Sequence, residues 1–428
     1  MLGGEAIVNE KFKDYISEPK DSVFKDIKKY NGVISQQQAV SDFEELCYIM
    51  DNGYSGKEYW EKHGISFDKC YSEIKRFIED RNEIYISDFC RAIHCAFNVG
   101  ITDNHLSFAS PLTGRLNFSK KYSAYFADII VERIRDRFIV IASSDNAVKP
   151  DDIINNADSL YSTLSPRGSR YYLIGCRSWN DCNTLNVPIN GKPTDISLHR
   201  CRAVNKSETS DICLQQGVIC GIPVIRSNCC DYVNPISKND NIIDIGRKYA
   251  ESDRIIWNNL SNEGGYSKIP HDFLLGLNNY VCREEYCAKL ISSITENKPC
   301  KREWILTEPD TCERDNGTYR GTMYFLMNSD TASSGETSVL MAKSLRHVVF
   351  IGENSMGCNT FGNVASYQLT NSNIILRVPN MINLCKNPDD CIEGKGFAPD
   401  FWVDSTDVQS EVICWLRNPE TYTPRLVN

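Results

Sequence analysis

At 428 residues the chain exceeds what one ordinary hydrophobic core sustains, so two or three domains are expected. With 41% hydrophobic and 24% charged residues it is a globular protein, not a disordered one. A formal net charge of −9 argues against a nucleic-acid binder, which needs a basic face, and no run of apolar residues is long enough for a membrane-spanning helix.

Residues 1–35 are polar and mixed and read as an extension with a short strand. "MLGGEAIVNE" lacks the basic start and apolar core of a signal peptide. The compartment therefore stays open: exported or periplasmic if a signal has been removed, cytoplasmic otherwise. From residue 36 the apolar positions recur at threes and fours. Phe43, Leu46, Cys47 and Met50 share one helical face, and Ile74, Phe77 and Ile78 another. A small helical domain is expected over 36–115. Residues 116–212 change character, with runs such as "FIVIA", "YYLIGCRS" and "DISLHRCRAV". They predict a compact β-rich module with one helix, and Asn190-Gly191 signals a hairpin turn. Over 213–428 strands and helices alternate, from "IPVIRS" through "RIIWNNL", "TMYFLMN" and "HVVFIGE", which predicts a largely parallel α/β layer. "SYQLTNSNIILRVPN" reads as a hairpin within it.

The 19 cysteines are odd in number and include no Cys-x-x-Cys pair, so a zinc ribbon or thioredoxin-type motif is not expected. Cys229 adjoins Cys230, Cys282 is close to Cys287, and Cys385 and Cys391 flank "KNPDD". Mostly buried free thiols are expected, with disulfides in an exported protein as the alternative.

Ligands gather beyond the carboxyl ends of parallel strands. Two such ends carry chemistry. Gly264-Gly265, after "RIIWNNL", lets backbone N–H groups approach a ligand. "SDTASSGE", after "TMYFLMN", sets a serine at a strand-to-helix elbow, where the helix N-terminus favours negative charge. Ser333 and Glu336 also have capping-box spacing, which would commit the hydroxyl to the helix start. A serine nucleophile needs a base. Among six histidines His105, in "TDNHLSF" at a domain junction, is the best placed, whereas His94 falls inside an apolar helical pattern. No histidine spacing suits a metal, and an α/β-hydrolase is disfavoured, since that fold expects Gly-x-Ser-x-Gly with its histidine late in the chain whereas the best histidine here comes first.

Together these segments resemble peptidase family S41, the tail-specific or C-terminal-processing proteases and their tricorn-core relatives. "TDNHLSF", "RIIWNNLSNEGG", "NSDTASSGE", "VVFIGENSMGCNTFG" and "EGKGFAPDFWV" are similar to the family's segments and occur in its order. The resemblance implies a multidomain α/β protein: a helical N-terminal domain, a PDZ-like module at 116–212 and a ClpP/crotonase-like protease domain at 213–428. It implies Ser333 as nucleophile and an oxyanion hole drawn from Gly264, Gly265 and Ser334. The lysine base of the tail-specific branch is replaced by Cys358. The tricorn-like branch, with a histidine before the PDZ-like module and a late glutamate, implies His105 and Glu393 instead, although Asn104 stands where that branch has a serine. The family's Asp-Leu-Arg after the strand is replaced around "WNNLS", losing both charges. The function implied by the resemblance is that of a serine endopeptidase acting on peptides or unfolded proteins, with no cofactor and with room for homo-oligomers. A catalytically silent relative that binds peptides or apolar ligands is the alternative.

Overall fold

The computed structural model describes residues 32–204, 213–230, 241–283, 285–296, 298, 300–308, 313–385 and 393–424. Most of the expected N-terminal extension, the end of the β-rich module at 205–212, and Cys391 with its flanking loop lie outside the described residues. The chain forms two compact units, each assembled from separated stretches.

The first unit takes its described residues from 1–120, 285–309 and 360–394. Its helices are Gln36–Gly53, Gly56–Lys62, Phe67–Glu79 and Ile86–Phe97. The first opens on a full capping box, with Ser35 and Gln38 each accepting the other's backbone N–H. Leu46 and Met50 from that helix, Ile74 and Ile78 from the third, and Phe89 and Phe97 from the fourth are all buried in one core. Beneath them lies an antiparallel sheet in which Ile375–Cys385 is flanked by Glu285–Ile291 and Asp103–Ser110. The expected hairpin is real: Phe361–Gln368 also pairs with Ile375–Cys385.

The second unit takes its described residues from 121–284, 310–359 and 395–428. Residues 123–200 build an eight-stranded sheet around the long strand Ser123–Ile134. Thr184–Ile189 and Lys192–Ser197 form the hairpin that Asn190-Gly191 signals, and both turn residues have positive φ, 50° and 77°. Two successive left-handed residues make the type I′ turn that matches strand twist. The helix expected in this region is reduced, among its described residues, to one 3-10 turn, Ala157–Ser159, capped by Asn156, whose side chain accepts the Asp158 N–H. Just before it Asp152 accepts the Lys149 N–H, a local bond that competes with helix.

A second sheet of this unit runs Leu214–Ile219, Ile222–Ser227, Arg254–Asn258, Thr322–Met327, Val348–Gly352, Phe401–Trp402, parallel after the first pair. The crossovers carry helices Ile242–Lys248, Lys268–Asn278 and Ser334–Ala342. Phe126 and Ala124 from one sheet, Leu326 and Trp402 from the other, and Val412 from helix Val408–Arg417 share a single core. The expected single stretch 213–428 is thus interrupted twice, where 285–309 and 360–394 leave for the first unit. Cys213 and Cys229 form a disulfide with each other; Cys282 in the second unit and Cys385 in the first are each in a disulfide as well. Cys70, Cys90, Cys201, Cys230 and Cys358 are buried free thiols.

Candidate active site

The second unit holds the serine elbow. Strand Thr322–Met327 ends in a turn fixed by the Asn328 side chain, whose Oδ1 accepts the N–H groups of Asp330 and Ser261. Ser333 comes next with φ 51° and ψ −121°, a conformation L residues adopt only when their surroundings impose it. Helix Ser334–Ala342 begins directly after it, and the Ser333 side chain makes no capping bond. Only the return half of the capping box exists. The buried Glu336 carboxylate accepts the Ser333 backbone N–H, the Ser355 hydroxyl at 2.5 Å, the Gly357 N–H at 2.8 Å and the Cys358 N–H. Burial pushes its pKa up to about 7, against the pull of those donors. The capping-box reading of "SSGE" therefore fails at the hydroxyl and holds at the carboxylate.

The glycine loop lies against this elbow. A Cβ added to Gly264 would stand 2.7 Å from Ser333 Cβ and 2.9 Å from the Ser334 nitrogen, so no side chain fits there. The Gly264 N–H donates to Asn262 Oδ1 at 2.9 Å, which removes it from the expected set of oxyanion donors. Gly265 accepts the Ser334 hydroxyl through its carbonyl at 2.8 Å. The charges lost around "WNNLS" are replaced by buried amides. Asn259 Nδ2 donates to the Gly335 carbonyl at 3.0 Å, and its Oδ1 accepts from Asn262 Nδ2 at 2.9 Å. Asn262 in turn reaches Ser227 and, through its carbonyl, the Ala332 N–H. Sequence reasoning misses this clamp; its only signal is the run of asparagines itself.

The first unit holds His105 and Glu393. His105 sits on strand Asp103–Ser110, where the register with Gly114–Phe118 shifts between Asp103 and Ser107. The buried Asp103 carboxylate makes the local bend, accepting the N–H groups of His105 at 2.8 Å and Leu106 at 3.0 Å and the Tyr54 hydroxyl at 2.9 Å. Burial raises the Asp103 pKa to about 6. For His105 burial, then the guanidinium groups of Arg377 and Arg115, lower the pKa to about 4, so the imidazole is neutral at pH 7. Arg377 lies opposite Ser107 across the strand pair, and Arg115 Nε donates to the Ser107 hydroxyl at 3.0 Å. Glu393 accepts the backbone N–H of Asn104 at 2.9 Å and that of Thr360 at 3.1 Å. The late glutamate thus reaches the residue beside His105 through Asn104's backbone.

Cys358, in the place of the family's lysine, is buried and its N–H serves Glu336. The Lys343 ammonium lies 5.2 Å from the centre of the Phe397 ring. Asp128, His199 and Asp404 come close enough to suit a metal, but the Arg202 guanidinium bonds all three and fills the position a cation would take.

Residues 277–403 match the family model for peptidase family S41. That range includes Ser333, Ser334, Cys358 and Glu393, and leaves His105, Gly264 and Gly265 outside. No curated protein matches the chain in sequence. Among solved structures it is similar to mature CPAF, at 10% identity and a TM-score of 0.49 over 90% of this chain and 99% of that one. It is similar to the photosystem II D1 C-terminal processing protease at 13% identity and a TM-score of 0.40, over 91% and 99%. The tricorn protease gives 11% identity and a TM-score of 0.41 over 90% of this chain and 37% of that one. The Ser333 elbow thus lies in the part of the chain, residues 277–403, that matches peptidase family S41, a family of serine-type peptidases.

Proposed function

We propose that this chain hydrolyses peptide bonds through a Ser333 acyl-enzyme with His105 as general base. The observation that carries the reading is the Ser333 elbow: a left-handed residue at a strand-to-helix junction whose side chain does not cap the helix it precedes. In this mechanism His105 takes the hydroxyl proton, and Ser333 Oγ attacks the peptide carbonyl. The backbone N–H groups of Gly265 and Ser334 stabilise the oxyanion, a role Gly264 cannot share while bonded to Asn262. His105 then protonates the leaving amine, and water attacks the acyl group. Glu393, bonded to the Asn104 N–H, orients the strand that carries the imidazole. A neutral His105 suits a base, and its low pKa makes the imidazolium a strong acid toward the leaving amine.

Peptides and unfolded chains are the proposed substrates, and the 123–200 sheet is the proposed PDZ-like module. The Cys213–Cys229 disulfide supports residence in an oxidising compartment. No helix among the described residues is long and apolar enough to cross a membrane.

A fluorophosphonate probe tests the core of the reading. Labelling of the wild type that vanishes in Ser333→Ala supports it; an unlabelled, folded wild type sinks it. The latter outcome would favour a peptide-binding protein without turnover, the reading to which the thiol of Cys358 in the lysine position points.

A further inference from the structure

The strand Tyr171–Ser178, which carries Cys176, is joined to the strand Thr184–Ile189 by a short loop that carries Cys182. Cys176 Sγ donates to Cys182 Sγ at 3.3 Å, and the Cys182 thiol is directed to the Thr184 carbonyl at 3.4 Å. Neither cysteine is fully buried. Closing the pair to the ~2.04 Å of a disulfide needs a movement of just over 1 Å, within reach of a side-chain rotation. We propose that Cys176 and Cys182 form a reversible disulfide by exchange with a small-molecule disulfide of the glutathione class.

The chemistry assigns an order. Burial, with the neighbouring thiol, pushes Cys176 up to about 12, so Cys182 is the first to react. The Cys182 thiolate attacks one oxidant sulfur, the oxidant's S–S bond breaks, and one glutathione leaves and takes up a proton. Cys176 then loses its proton and attacks Cys182 Sγ, expelling the second glutathione. Two protein thiols are oxidised and one external disulfide is reduced to two thiols. The same unit already contains the Cys213–Cys229 bridge, so this part of the chain matures where disulfides persist.

The residues between the thiols hold part of the elbow's support. Arg177 donates to the Lys395 carbonyl at 2.7 Å and covers the Tyr122 ring at 4.7 Å. Trp179 packs on the same ring, with centroids 5.0 Å apart. The Tyr122 carbonyl accepts from Asn354 Nδ2 at 2.9 Å, and the next residue, Ser355, donates to Glu336 beneath Ser333. A bridge between Cys176 and Cys182 pins this clamp at both ends.

Mass spectrometry of the full chain tests the bridge without reference to peptidase activity. The protein is treated with glutathione disulfide, alkylated and digested with trypsin, which cuts after Arg177, between the two cysteines. Peptide 171–177 should then run joined to the peptide beginning at Ser178, two hydrogens lighter than the sum, and separate on reduction. In Cys176→Ser the product should instead stop as a glutathione adduct on Cys182, with Cys213–Cys229 intact. Full alkylation of both cysteines, or an adduct on Cys182 that persists in the wild type, overturns the proposal.

Discussion

At the residue scale the proposed mechanism rests on two side chains held in uncommon states, Ser333 by backbone strain and His105 by burial and field. Ser333 has φ 51°, which a residue with a Cβ occupies at a cost of roughly 1–3 kcal/mol. Ser333→Gly should therefore gain stability, by about 1 kcal/mol in chemical denaturation, while abolishing probe labelling. A destabilised glycine variant would mean that the strain lies elsewhere. His105 carries its lowered pKa because burial and two arginines oppose the imidazolium. The acid limb of kcat/KM should accordingly fall near pH 4 and not near the ordinary 6.5. Arg377→Gln removes one opposing charge and should move that limb upward; an unmoved limb would show that it reports another group. Ser333 and His105 are legible in the sequence because short motifs surround each. Arg377 is not: it meets His105 only through pairing of Arg377 with Ser107.

At the scale of elements, the helix after Ser333 is anchored by a carboxylate that serves two segments. Glu336 reaches forward to Ser355, Gly357 and Cys358 and back to its own helix start. Glu336→Gln keeps the shape but offers one acceptor oxygen where there were two, leaving buried N–H groups short of a partner. A loss of about 1–3 kcal/mol is expected, with labelling of Ser333 slowed, as read by denaturation and probe kinetics together. Gly264→Ala tests the opposite face of the elbow. Its methyl would sit inside contact distance of Ser333 and Ala332, so activity should fall sharply despite the small change in volume. The strand–helix alternation and the Asn190-Gly191 hairpin are readable because their signals are local. The shrinking of the helix expected near residue 155 to a single 3-10 turn is not, because Asp and Asn side chains look the same in a helix's sequence as in a turn's.

For the whole molecule, buried acids set the pH response. The folded pKa values of Glu336 and Glu353 are raised to about 7 and that of Asp103 to about 6, all by burial. Between roughly pH 4.5 and 6 the folded chain keeps these three protons and the unfolded chain releases them. His105 acts the other way, because the unfolded histidine is protonated below its ordinary pKa and the folded one is not until about 4. The acids outnumber it, so stability should fall as pH rises across that window, with a slope of order 1–3 kcal/mol per pH unit. Denaturation midpoints measured across the window check the sign. A stability that climbs with pH would show that the three acids are ionised in the folded state.

The architecture also dictates an order of events during synthesis. Ile375 pairs with Ala109, and Leu376 with Phe108, across most of the chain's length. At about 5–20 residues per second, strand Asp103–Ser110 leaves the ribosome roughly 15–50 s before its central neighbour exists. Through that interval Leu106 and Phe108, which end fully buried, stand on an open strand edge. The first unit, although it contains the earliest residues, draws on the chain as far as residue 394, and the strand that carries His105 waits for the polypeptide's final hundred residues before it is closed.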